Sequence, residues 1–294
     1  MKRVAIIGVG LIGGSLGMAL RKSGKGYSVT GLGRNIGRLR SAKRLGAVDE
    51  YSIDWETGVK NADIIVICTP VDLVAAAVKK IFRRVKSGAV ITDAGSVKGS
   101  VLKEVNGILD PGPRTLAPVF VGSHPMAGSE KTGVGAAKRD LFRGASVVLT
   151  PERKTPGRAV AAVEKLWRDA GAVTVKMTAG EHDRIVAATS HLPHAIAFTL
   201  SSLVGKTAKS NGKAGQLLAG SFRDMTRIAG SNAADWAVIS AANGKELNKA
   251  ISEIIKKLRE VGKNVTNRRK LEKIFMQGKI ARQKLLNKTG SSKQ

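Results

Sequence analysis

From the N-terminus to about residue 176 the chain alternates two hydrophobic patterns. Short apolar runs, "RVAIIGV", "YSVTGL", "DIIVICT", "GAVITDA", "FVGSH", "ASVVLT" and "AVTVKM", read as buried strands. Amphipathic segments at 11–22, 71–84, 98–109 and 156–170 separate them. Strand-helix alternation of this kind predicts an α/β domain over 1–177 built on a doubly wound, mostly parallel sheet. The proline-rich piece "LDPGPRTLAP", 109–118, suits neither a helix nor a central strand and reads as a surface loop.

Beyond Met177 the strand pattern stops. Helical periodicity takes over through 180–205, 213–229, 233–263 and 266–286, which predicts an all-α C-terminal domain over 178–294. Helices this rich in Ala and Leu bury their faces against one another or against a second subunit. Residues 256–294 hold 13 Lys or Arg against two Glu, which reads as a solvated helix face ending in a frayed tail.

Composition narrows the function classes. The 294 residues are 43% hydrophobic, enough for a substantial core, and the formal charge of +28 points to anionic partners. Aromatics make up only 4%, and no zinc-finger or RNA-recognition pattern is present, so a nucleic-acid-binding protein is a minor alternative. Cys68 is the single cysteine; it sits in the apolar run "ADIIVICTP" and reads as a small core residue in a reducing compartment. No window is apolar enough to span a membrane and no cleavable leader precedes the first strand, so a cytoplasmic location is expected.

The first strand run leads into "GVGLIGG", which sets Gly8, Gly10 and Gly13 in GxGxxG spacing at the start of a helical pattern. Gly8 permits the tight turn, Gly10 lets the backbone approach a pyrophosphate, and Gly13 allows close helix-strand packing, the fingerprint of a Rossmann-like dinucleotide site. Leu11, Ile12 and Thr69 are further candidates for cofactor contact. An NAD site places an Asp or Glu at the end of the second strand, whereas "VTGLGRN" has Gly33 there, followed by Arg34 and, one helical turn on, Arg38. The missing carboxylate and the guanidinium favour NADP over NAD. The competing account makes both arginines ordinary members of a very basic surface.

Four histidines fall in two stretches. His124 ends a strand run in "VGSHPMAGSEKTG", while His182, His191 and His194 share "EHDRIVAATSHLPH". A histidine is more often a structural hydrogen-bonder than a catalyst, but such clustering suits proton transfer near neutral pH. No HExxH pattern is present, and no metal is expected. In "SFRDMTRIAGSNAADW", Asp224 and Arg227 stand one helical turn apart and can pair, which would also preorganise the arginine for a carboxylate. Ser96, in "DAGSVKG", is either a helix N-cap or a site hydroxyl.

Taken in order, "GVGLIGGSLG", "DAGSVKG", "GSHPMAGSEKTG", "HDRIVAATSHLPHAIAF" and "FRDMTRIAGSNAADW" resemble the signature blocks of the bacterial prephenate/arogenate dehydrogenases of tyrosine biosynthesis, over roughly residues 3–250. The resemblance implies an oxidative decarboxylation in which hydride passes to a nicotinamide, carbon dioxide leaves and the ring becomes aromatic. It implies His124 as the catalytic base on the ring hydroxyl, with Ser96 sharing that contact. It further implies Arg227 as a substrate-carboxylate ligand, His194 facing the substrate side chain, and Trp236 reaching the site from a partner subunit. A homodimer through the helical domain and a monofunctional form, without mutase or regulatory segments, are implied as well. The alternative within the same two-domain plan is a β-hydroxyacid dehydrogenase, which uses a lysine of the helical domain as acid/base group.

Overall fold

The computed structural model describes residues 2–109 and 118–290; residues 110–117 of the proline-rich piece and the last four residues of the tail lie outside the described residues. The chain forms two compact units, residues 1–246 and 247–294.

In the first unit eight strands form one sheet: β1 (Lys2–Ile7), β2 (Tyr27–Leu32), β3 (Glu50–Ser52), β4 (Ile64–Ile67), β5 (Val90–Asp93), β6 (Val119–Pro125), β7 (Ser146–Thr150) and β8 (Val173–Lys176). Their order is β3-β2-β1-β4-β5-β6-β7-β8. Neighbours pair in parallel except β6 with β7, which run antiparallel. The sheet helices are α1 (Leu11–Lys22), α2 (Ile36–Arg44), α3 (Trp55–Val59), α4 (Val74–Ile81), α5 (Gly99–Leu109) and α6 (Gly157–Asp169).

Strand parity explains why the apolar runs are continuous. Val4 and Ile6 of β1 face Leu16 and Leu20 of α1 and Val163, Leu166 and Trp167 of α6 in one core. Ala5 and Ile7, between them in sequence, join Val74, Val78 and Ile81 of α4 and Val101 and Val105 of α5 in the other. Alternate side chains point to opposite faces, so a strand covered by helices on both sides has no polar face. All seven expected strands are present, but β8 was expected to be buried and is mostly exposed, because it is the last strand of the sheet. The eighth, β3, was not legible: it is three residues, "EYS", held extended by pairing Glu50 with Thr30 and Tyr51 with Gly31.

After β8 the chain is helical: α7 (Ala179–Val186), α8 (Leu192–Ser210), α9 (Gly220–Thr226), α10 (Ala233–Ala242), α11 (Gly244–Lys263) and α12 (Arg268–Gly290). The expected long helix over 180–205 is interrupted by a π-helical turn, Ala187–His191, and the expected 213–229 helix divides into two short 3-10 turns around α9. Val238, Ile239 and Ala242 of α10 pack on the α4–α5 core. No helix among the described residues is long and apolar enough to cross a membrane.

Candidate active site

The glycine turn between β1 and α1 is shaped as its spacing predicts. Gly8 has φ +92°, and a Cβ there would lie 2.7 Å from the Cys68 carbonyl oxygen; at Gly13 it would lie 2.3 Å from the Gly8 oxygen. Around Gly10 the same Cβ meets nothing within 4 Å, so this backbone opens toward a cleft. No side chain caps α1 and its first turn has no acidic residue, which leaves the N–H groups of Leu11, Ile12 and Gly13 and the positive helix end for an anion. Thr69, beyond the end of β4, lines the same cleft with its hydroxyl buried and without a partner among the described residues. An uncapped helix end, an open glycine and an unpartnered hydroxyl together fit a dinucleotide.

At the end of β2, Gly33 N–H reaches the Ser52 carbonyl and Gly33 O accepts from Trp55 Nε1 at 3.2 Å. Asn35 Oδ1 caps α2 by accepting from Arg38 N at 3.0 Å. This turns the chain so that Arg34 and Arg38 both stand exposed beside the strand end. Gly8 N–H donates to Leu32 O at 2.8 Å, so the arginine-bearing turn adjoins the glycine turn.

The cleft is lined by Gly10, Leu11 and Ile12 of the glycine turn, by Ser96 and the 127–133 segment, and by Trp236 and Ile239 of α10. Ser96 is not the cap of α5. That role belongs to Asp183, whose carboxylate accepts from Lys98 N at 2.8 Å and Gly99 N at 2.7 Å, leaving the Ser96 hydroxyl in the cleft lining.

His124 stands on β6 just where that strand has exchanged its parallel neighbour β5 for the antiparallel β7, opposite Val148. The strand ends here are tied by buried polar groups. Asp93 accepts from Ser123 N at 3.0 Å and from the Lys98 ammonium, which also donates to Ser123 O at 2.8 Å. Trp167 Nε1 donates to Ser123 Oγ at 3.0 Å. Burial holds the His124 imidazole well below its usual pKa, and His182, Lys98 and His191 add to the effect. His124 is therefore a neutral imidazole near pH 7, able to accept a proton.

His182 of α7, given no separate role from sequence, and two residues that sequence reasoning missed, Asp183 of α7 and Asn243 after α10, complete this cluster. His124 Nδ1 is 2.8 Å from His182 Nε2, and His182 Nδ1 is 2.7 Å from Asp183 Oδ1. Asn243 Nδ2 donates to Asp183 O at 2.8 Å and to His191 Nδ1 at 3.1 Å. On an unbroken α-helix His191, nine residues after His182, would face the opposite side; the wider π turn shifts that phase. All four histidines thus share one neighbourhood. The signal in the sequence was their concentration in two stretches.

His194, in the first turn of α8, donates from Nδ1 to Ser190 O at 2.9 Å and lies flat on Trp236, with ring centroids 3.4 Å apart and planes at 17°. Trp236 thus packs against its own chain's histidine. His191 meets the same indole edge-on at 5.9 Å. Arg227 follows α9 in a 3-10 turn and pairs with Glu130 at 3.9 Å instead of with Asp224. The exposed, long contact is weak and leaves the guanidinium free to exchange partners. Cys68 is a packing residue, its thiol pushed up by burial and by the Asp93 charge.

Known proteins are similar to this chain in sequence and fold. Residues 16–176 match the family model described as the prephenate dehydrogenase nucleotide-binding domain, and residues 178–277 match the prephenate dehydrogenase dimerization domain. The chain is 34% identical over 262 residues to a prephenate dehydrogenase of Bacillus subtilis, covering 88% of this chain and 68% of that protein. It is 34% identical to a cyclohexadienyl dehydrogenase of Zymomonas mobilis, covering 88% and 87%. Among solved structures, a prephenate dehydrogenase of Aquifex aeolicus in complex with hydroxyphenyl propionate and NAD+ superposes with a TM-score of 0.88 at 32% identity, over 97% of this chain and 98% of that one. An arogenate dehydrogenase of Synechocystis gives 0.80 at 27% identity, over 96% and 99%.

Proposed function

The chain belongs to the prephenate dehydrogenase family, and from that premise we propose that it oxidatively decarboxylates prephenate or arogenate with His124 as base and NADP as the preferred cofactor. Its Rossmann-like sheet and helical C-terminal half are those of a nicotinamide-dependent oxidoreductase of this family. The observation that carries the mechanistic reading is the buried imidazole of His124 near the C-terminal end of β6, hydrogen-bonded to His182 and two residues before Met126, which leads into the 127–133 segment of the cleft lining.

A nicotinamide dinucleotide held by the glycine turn, Leu11, Ile12 and Thr69 would supply the acceptor for a hydride from the ring carbon that carries the hydroxyl. As that hydride departs, His124 takes the hydroxyl proton, so a carbonyl forms without a high-energy oxocarbenium. Ser96 hydrogen-bonds the same oxygen. The electrons of the ring carbon-carboxylate bond then flow into the ring as carbon dioxide leaves, and the new phenolate oxygen takes up a proton. Arg227 binds a substrate carboxylate in place of Glu130, through the fork geometry a guanidinium offers. His194, stacked on Trp236 with Nδ1 engaged by Ser190 O, is the residue we assign to the substrate side chain.

NADP preference rests on Gly33, which removes the repulsive carboxylate, and on exposed Arg34 and Arg38 beside it. NAD is the second reading, because the Aquifex relative was solved with NAD+. The homodimer reading rests on the sparsely covered helical half. Ala197 is the only buried residue of α8, and in the second unit Leu258, Phe275 and Leu285 are mostly exposed, on a segment matching a dimerization domain. The β-hydroxyacid alternative fares worse, since the lysine buried beside His124 is Lys98, which precedes α5 and is fully engaged by Asp93 and Ser123. Purified chain with each substrate crossed with NAD+ and NADP+ tests the reading. Reduced cofactor should form with at least one substrate, faster per micromolar with NADP+; no turnover with either substrate overturns it.

A further inference from the structure

A base must present a lone pair, and a neutral imidazole has only one, so its usefulness depends on which ring nitrogen carries the proton. The assignment starts at Asp183. Burial alone would raise this carboxyl, but the hydrogen bonds from His182 and from the backbone N–H groups of Lys98 and Gly99 hold it below the usual carboxylate range, so it is an ionised acceptor. An acceptor at 2.7 Å requires a proton on His182 Nδ1. With a single ring proton, and that proton on Nδ1, His182 has its lone pair on Nε2, which is 2.8 Å from His124 Nδ1. Two lone pairs cannot share that contact, so His124 Nδ1 carries the proton and His124 Nε2 is left as the accepting atom.

The geometry points to His182 and Asp183 as positioning residues that lock His124 in its Nδ1–H tautomer, with Nε2 as the atom that receives the substrate's hydroxyl proton. The inference rests on the reading of His124 as base. An acidic group orienting an imidazole is a familiar device of hydrolases; here a second imidazole is interposed, and both of its ring nitrogens are occupied. The interposed ring lets one carboxylate serve two purposes. Asp183 also caps α5, which begins three residues after Ser96, so the same group fixes the hydroxyl-bearing loop and the orientation of the base. A change at His182 separates the two tasks, because it leaves the cap in place.

The test uses the full chain labelled with nitrogen-15 in its four histidines. Long-range proton-nitrogen spectra show which nitrogen of each ring is protonated, and His124→Asn assigns the His124 signals by their loss. Wild type should show His124 protonated on Nδ1. His182→Leu should move His124 toward the Nε2–H form and lower kcat about 10- to 100-fold, with KM and cofactor Kd within about twofold. His182→Gln, whose carbonyl can accept from Nδ1, should recover most of that loss. Wild-type His124 protonated on Nε2, or a His182→Leu variant with unchanged tautomer and kcat, overturns the proposal. The wild-type spectrum needs no variant, so it decides the question even if His182→Leu does not fold. Failure of the underlying reading looks different: His124→Asn would then turn over normally whatever the tautomer.

Discussion

The ammonium of Lys98 lies against the carboxylate of Asp93 with neither side chain exposed to solvent, directly behind the strand that carries His124. Burial drives the lysine below its usual pKa while the Asp93 charge opposes the shift. Removing one member leaves the other buried and uncompensated, which costs about 3–5 kcal/mol. Lys98→Met should therefore lower stability by about that amount, read from urea unfolding midpoints. Lys98→Met combined with Asp93→Asn should be less damaging than the sum of the two single changes. Strictly additive losses would show that the pair is not coupled.

Buried histidines make the fold acid-sensitive. Burial is the first cause of the depression of both His124 and His191, and His191 is lowered to about 4. The unfolded chain binds these protons near pH 6.5, the folded chain only at lower pH, so stability is complete above about 6.5 and is lost as pH falls toward 4. His191 alone should remove about 2 kcal/mol between pH 7.5 and pH 5. Equal urea midpoints at the two pH values would contradict this.

The same depression sets the direction of the pH-rate profile. His124 is faced by His182, Lys98 and His191, and protonation removes its capacity as a base. The kcat/KM for the substrate should rise with pH along an acid limb centred below 6.5 and then level off. A limb centred above 7 would assign the essential base to another group.

Cofactor choice is tested at the turn after β2. Arg34 is exposed, next to the Asn35 cap that accepts from Arg38 N, so Arg34→Ala should leave the fold intact. The KM for NADP+ should rise about tenfold or more, with that for NAD+ changing less than twofold. Equal effects on both would make Arg34 an ordinary surface charge.

Much of this was legible because the signals were local or periodic. Gly8 and Gly13 announce their turn through spacing, and the inner strands such as β1 and β4 announce themselves as continuous apolar runs because helices cover both faces. What escaped depends on contacts distant in sequence. β3 exists only by pairing with β2, and Asp183 caps a helix that begins 84 residues earlier. Arg227 finds Glu130 across the fold although Asp224 is its neighbour by spacing. The π turn that rephases His191 against His182 leaves no mark in a 3.6-residue pattern. Clustering of the histidines was visible, but the order of hydrogen bonds among them was not.

The central claim is that His124 takes the proton as hydride leaves for the nicotinamide. The most direct measurement is a single turnover, followed by absorbance of the reduced cofactor, for wild type and His124→Asn at saturating NADP+ and prephenate or arogenate. The account predicts a rate about 10²–10⁴-fold lower in His124→Asn, with the Kd for NADP+ within about twofold of wild type. A rate within about threefold of wild type would contradict it.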